Sequence, residues 1–148
     1  MITITETKDY EVVKKIMADP TLWQLTFGQV GELKDFKVDE TFRYLLLEKE
    51  GAVLGCFQVK AFTNTVMEIH SFILPGYWGT DTVPEAVKIG HDWVKAEGYR
   101  KTWTRVPATC IHVLKYLQKN HYKCSGMIEE GIVHNHHLVT LFFYEFEV

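Results

Sequence analysis

Cysteine is scarce in this chain, with three in 148 residues, at Cys56, Cys110 and Cys124. They are odd in number and widely spaced and form no C-x-x-C pair. That excludes a disulfide framework, argues against a structural zinc site, and fits reduced thiols in a reducing compartment. No stretch reaches the roughly 20 apolar residues of a membrane span. The opening MITITETKDYEVVKK alternates and then turns charged, without the apolar run of a secretory leader. An excess of positive charge is missing too. Sixteen Lys and Arg face nineteen Asp and Glu, a formal charge of -3, which removes the broad basic field that draws nucleic acid or anionic membrane. Repeats and low-complexity tracts are absent. Together these predict one domain over residues 1–148, in the cytoplasm, with neither nucleic acid nor membrane as a partner.

What the chain does have is apolar and aromatic bulk, 47% and 14% of its residues, ample for one core. Ile2 and Ile4 alternate with threonines, a short strand. From Lys8 onward Tyr10, Val13, Ile16 and Met17 recur at helical spacing, and Asp19-Pro20 predicts a stop. Leu22, Trp23, Leu25 and Phe27 fit a second short helix, while Gly28 and Gly31 favour a loop. FRYLLLEKEGAVLGCFQVKAF reads as a hairpin turning over Glu48 to Gly51, followed by a strand from Val66 to Leu74 antiparallel to it. A helix is predicted from Val83 to Gly98, a strand over Trp103 to Pro107, and a helix from Cys110 to Lys119. GMIEEGIVHNHHLVTLFFYEFEV closes the chain as a hairpin. The order predicts an α+β fold with one mixed, mostly antiparallel sheet of about six or seven strands, flanked by three to four helices.

Between the third strand of that run and the next helix lies FILPGYWGTDTVPEAV, a strand, a turn with Gly76 and Gly79, and a helix start. This phrase resembles the "V-x-P-x-Y-R-G" of the GNAT superfamily, the Gcn5-related N-acetyltransferases, and KYLQKNHYKCSG resembles that family's "x-Y-E-K-x-G-F-x-x-x-G". The element order matches along nearly the whole chain. The resemblance implies an acyl-CoA-dependent N-acyltransferase that passes acetyl from acetyl-CoA to a small-molecule amine or a protein amino group. It further implies that acetyl-CoA lies where the fourth and fifth strands part, with its diphosphate on backbone amides and a helix N-terminus. The cofactor residues this implies are Phe72, Ile73, Leu74, Trp78, Gly79, Thr80, Asp81 and Thr82, with Cys110 where many members carry Asn.

The loop departs from the family pattern of Arg or Gln, two residues, Gly, one residue, and Gly or Ala. Aligned through Pro75-Gly76-Tyr77 the pattern positions fall on Trp78, Asp81 and Val83. Shifted two residues earlier they fall on Gly76, Gly79 and Asp81. Either register leaves a carboxylate beside the diphosphate, where like charges repel, so the loop is degenerate. The local alternative is an ordinary connection in which Gly79 makes a left-handed turn, Asp81 or Thr82 caps the helix, and Pro84 sits in its first turn. The phrase L-P-x-Y-W-G also resembles short GNAT-like proteins of tailed phages, of head-assembly or internal virion type. These imply a non-catalytic binding or assembly protein, in a host cytoplasm, as the second possibility.

Acetyl transfer needs a base for the amine proton and an acid for the departing thiolate. Glu68 and His70, two apart on a strand and so on one face, are the candidate bases. Tyr116 is the candidate acid, one residue before Leu117, which holds the family's tyrosine position. Cys110 at a helix start is a candidate nucleophile or a packed thiol, and Thr109 is a candidate cap for that helix. His134, Asn135, His136 and His137 read as a polar hairpin tip whose side chains splay rather than hold a metal. The strand LVTLFFYEF is the candidate contact for a homodimer or, alternatively, a central strand buried on both faces. The aromatics, Trp23, Phe27 and Trp78 among them, exceed what the core needs, so some line a groove.

Overall fold

The computed structural model describes residues 1–26 and 32–148; Phe27, Gly28 and Gly31 lie outside the described residues. Seven strands form one sheet: β1 (Thr3–Thr7), β2 (Arg43–Lys49), β3 (Ala52–Ala61), β4 (Val66–Ile73), β5 (Lys101–Pro107), β6 (Lys123–His134) and β7 (His137–Glu147), in spatial order β1-β2-β3-β4-β5-β7-β6. Four α-helices accompany them: α1 (Tyr10–Met17), α2 (Pro20–Thr26), α3 (Thr82–Ala96) and α4 (Ile111–Lys119). The expected α+β class, strand number and helix number all hold.

Local chemistry explains the helix starts. The Asp9 carboxylate accepts from the Val12 amide, and α1 then buries Val13, Ile16 and Met17 on one face. Asp19-Pro20, expected as a stop, also starts α2. The Asp19 carboxylate accepts from the amides of Thr21 and Leu22 at 3.0 and 3.2 Å, while Pro20 takes the first helical position, where a missing N–H costs nothing.

Strand periodicity divides the core. Met67, Ile69 and Ile73 of β4 join Leu45, Leu47 and Phe57 beneath Ala86 and Val94 of α3. Phe72, on the opposite face, joins Tyr44 and Cys56 beneath α1. The helix α4 covers the other end of the sheet, where Cys110 and Leu117 pack with Val106 and Tyr144.

Every neighbouring pair of strands is antiparallel except β4 and β5, which α3 joins in parallel. These two pair only at Val66 with Lys101, Met67 with Thr102 and Glu68 with Trp103. Beyond that point residues 69–73 and 104–107 part. The strand β7 has β5 on one side and β6 on the other, so it is an interior strand. The open edge on that side of the sheet belongs to β6.

The tip between β6 and β7 is a two-residue turn, with His134 paired to His137 and both Asn135 and His136 at positive φ. His136 and His137 are exposed, whereas His134 is 2% exposed and turned inward. Among the described residues no group of three His, Cys, Asp or Glu is placed to hold a metal ion. No described helix is long and apolar enough to cross a membrane.

Candidate active site

The parting of β4 and β5 opens a cavity of about 920 Å³. One wall is the gap-side edge of β4, Ile69 to Ile73. The opposite wall is Thr104 to Pro107 of β5, and α4 and the loop after β4 close the wide end.

Glu68 and His70 do come together. Glu68 Oε1 and His70 Nε2 are 2.9 Å apart. Glu68 is 7% exposed, and the hydrogen bond to His70, working against burial, holds its carboxyl below the usual range. A carboxylate can only accept, so Nε2 carries the proton and Nδ1 presents its lone pair. Thr104 Oγ1 lies 3.3 Å from that Nδ1. The two residues therefore have different positions relative to the cavity: His70 lines it, and Glu68 stands behind. Arg105 Nε adds a second, looser contact to Glu68 at 3.7 Å.

Tyr116 reaches across from α4, its hydroxyl 3.1 Å from Ser71 Oγ on β4. Burial pushes this phenol up to about 12, so it stays protonated at neutral pH. Leu117, at the family's tyrosine position, is buried in the α4 core instead.

The loop after β4 is partly as expected. Gly79 has φ of 73°, the left-handed conformation that glycine adopts without strain. The cap differs, because neither Asp81 nor Thr82 closes the helix with its side chain. Thr80 does so: its hydroxyl donates to the Tyr77 carbonyl at 2.6 Å and accepts from the Thr82 amide at 3.3 Å. The amides of Gly79, Thr80 and Asp81 find no acceptor among the described residues. Gly79 and Thr80 line the cavity, whereas Leu74, Asp81 and Thr82 do not. Asp81 is exposed, so its carboxylate is not in the wall on which a diphosphate would rest. Trp78 lines the cavity, donates its indole N–H to the Ile73 carbonyl at 2.8 Å, and packs on His112 of α4 with centroids 5.8 Å apart. Phe72 and Ile73 complete the β4 wall.

Basic side chains absent from the loop are present on α4. His112, Lys115 and Lys119 line the cavity at i, i+3 and i+7, one face of a helix. That spacing was visible in the sequence, but its direction toward the loop was not.

Cys110 also lines the cavity but is 2% exposed, and burial raises its thiol to about 11. Its Sγ lies 2.7 Å from the Leu25 carbonyl and 3.9 Å from His134 Nε2. Thr109, expected as a helix cap, instead bonds His134 Nδ1. The α4 helix has Cys110 at its cap position with no side-chain bond that caps the helix.

No family model matches this chain, and no curated protein matches it. Solved structures do. A GNAT-family acetyltransferase from Streptococcus pneumoniae aligns over 100% of this chain and 99% of its own, with TM-score 0.69 and 13% identity. An N-acetyltransferase from Staphylococcus aureus Mu50 covers 99% and 98%, with TM-score 0.74 and 19% identity. The spermidine N-acetyltransferase of Vibrio cholerae, solved with CoA and spermine, covers 99% and 95%, with TM-score 0.79 and 11% identity. The chain therefore has the fold of the GNAT acetyltransferases.

Proposed function

We propose that this protein transfers an acyl group from acyl-CoA, acetyl-CoA first among them, to a primary amine, working as one domain in the cytoplasm. The observation that carries the proposal is the parting of β4 and β5 beyond Glu68 and Trp103, which leaves a strand edge facing the gap on each side. Free strand edges facing a cavity accept an extended amide-bearing ligand as they would another strand, and the pantetheine arm of acetyl-CoA has two amides. At the wide end, the unpartnered amides around Gly79 and the ammonium groups of Lys115 and Lys119 suit a diphosphate. The acetyltransferase neighbours, one of them solved with CoA and spermine, support the same assignment.

The residues divide the chemistry between them. His70 Nδ1 takes the amine proton through the Thr104 hydroxyl, which gives up one proton as it receives another. Glu68 positions His70 and stabilises the imidazolium that forms. As the amine nitrogen bonds to the acyl carbon and the carbon–sulfur bond breaks, Tyr116 donates its proton to the departing thiolate. The products are an amide and the free thiol. Cys110 has no part in this sequence, because its thiol is buried and protonated.

Two observations favour the second reading, a non-catalytic binding or assembly protein. The Trp78 indole occupies the Ile73 carbonyl at the mouth of the gap, and no Arg or Gln leads the loop. Calorimetric titration with acetyl-CoA separates the two. Saturable binding is expected, weakened at least about tenfold by Gly79→Glu, which adds bulk and like charge where the anion sits. Thiol release in the presence of an amine is expected alongside it. No binding at millimolar acetyl-CoA overturns the enzyme assignment.

A further inference from the structure

Gln58, in the middle of β3, is 8% exposed and lines the cavity directly across the strand pair from His70. Its orientation is settled by a neighbour that has no freedom left. The fully buried Tyr44 donates its hydroxyl proton to the Asp39 carbonyl at 2.8 Å. The Tyr44 oxygen can then only accept, and it does so from Gln58 Nε2 at 3.1 Å. This fixes the amide of Gln58 with its Oε1 on the other side, and Oε1 has no donor among the described residues. A buried acceptor without a partner is uncommon and costly; a ligand that brings an N–H would relieve it.

The surroundings restrict which N–H donor fits. Phe42 meets the His70 ring edge-on, with centroids 6.2 Å apart. Trp23 and Phe36 pack edge to face 5.2 Å apart, and all three rings line the same cavity. Such faces suit an apolar body and attract a cationic nitrogen. The acidic groups of the lining are Glu32, Asp35 and Asp39. Bonds from the Thr41 hydroxyl and amide hold the Asp39 carboxyl below its usual value, hence ionised. The basic groups of the lining are Lys37, Arg105, which Glu68 engages, and the lysines of α4. Among the groups that line this part of the cavity Glu32, Asp35 and Asp39 face Lys37, while Lys34, paired to Glu32 at 3.0 Å, and Lys60, which acts on Asp39, stand outside the lining, so an acceptor carboxylate meets acids at the wall.

We infer that Gln58 Oε1 anchors the acceptor's amino group, in a chamber that takes a primary amine with an apolar body and no carboxylate. The inference gives the acceptor class within the acyl-transfer proposal and rests on it for the chemistry, but the binding stands on Gln58 itself. With one N–H on Oε1, the amine is held beside His70.

The test uses saturation-transfer NMR on the full chain without acyl-CoA. The probes are 2-phenylethylamine and hexylamine, set against phenylalanine and 6-aminohexanoate, which add a carboxylate to similar bodies. Both amines are expected to bind at least about tenfold more tightly than their carboxylated counterparts. Gln58→Leu is expected to weaken amine binding by about tenfold or more, the loss of one hydrogen bond to a charged group, while acetyl-CoA titrates as in the parent. Should Gln58→Leu not fold, Tyr44→Phe releases the amide without removing it, and about a threefold loss is expected. Amine binding unchanged in a folded variant, amino acids bound as tightly as amines, or no amine bound at all would each overturn the inference. Amine binding that depends on Gln58 in a protein that fails to bind acetyl-CoA upholds this site while rejecting the enzyme assignment. In turnover, Gln58→Leu should raise KM for the amine with kcat little changed.

Discussion

Tyr116 and Leu117 lie about 100° apart around α4, and that difference decides which one faces the gap. The motif places a tyrosine where this chain has Leu117, yet Leu117 serves the core and the preceding tyrosine crosses to Ser71. Replacing Tyr116 with phenylalanine is expected to lower kcat by about 100-fold, the low end for loss of a general acid. KM for acetyl-CoA should stay within about threefold, because the ring remains in place. Steady-state kinetics of thiol release check both numbers. At this scale the residue types were legible and their partners were not. The spacing of Glu68 and His70 announced a shared face, so their bond follows from the strand. Gln58 gave no signal, because its distinction comes from Tyr44 being committed to the Asp39 carbonyl. Thr80 was likewise hidden, since Asp81 and Thr82 are equally good caps by type and only the turn at Gly79 chooses between them.

The helix α3 carries the loop that faces the gap, and its seat on the sheet depends on one small residue. Gly90 lies against Phe57: a Cβ there would meet the ring at 2.7 Å, and the ring, 1% exposed, has nowhere to go. Gly90→Val is expected to destabilise the fold by about 1–3 kcal/mol through overpacking, measured as a lower denaturation midpoint with the slope unchanged. The helical spacing of Val83, Val87, Trp93 and Val94 is legible in the sequence. The glycine's contact with a strand more than thirty residues earlier has no local signature. The same division holds for the sheet. The β2–β3 and β6–β7 hairpins were readable from alternation and turn residues. The parallel pairing of β4 with β5, and its early end, depend on how α3 returns the chain.

Over the whole molecule, one cavity is lined both by Glu32, Asp35 and Asp39 and by the lysines of α4, although the formal charge is only -3. Composition argued against a broad basic field; it could not show which charges share one cleft. A second long-range arrangement sets the acid limit of the fold. Thr102 Oγ1 donates to the Tyr122 hydroxyl, which lies 2.8 Å from His91 Nε2, and the imidazole stacks on Phe146 at 4.0 Å. Burial lowers His91 to about 4, with Asp92 opposing. The unfolded chain, near 6.5, therefore binds the proton first. Stability is full above about pH 6.5 and falls as pH drops toward 4. The loss is a fraction of the roughly 3 kcal/mol that the full displacement carries, because solvent reaches part of the ring. His134, also lowered by burial, acts in the same direction, so the readout is a difference. His91→Gln should show a smaller drop in Tm between pH 6.5 and 4 than the parent, whatever its Tm at pH 7.5.

The short β4–β5 ladder has a mechanical meaning as well. Four strands on one side and three on the other form two plates that share a single brief hinge at Val66 to Glu68. Whatever fills the gap acts as a keystone between them, so occupancy and cohesion rise together and the emptied protein is the one most easily pried apart.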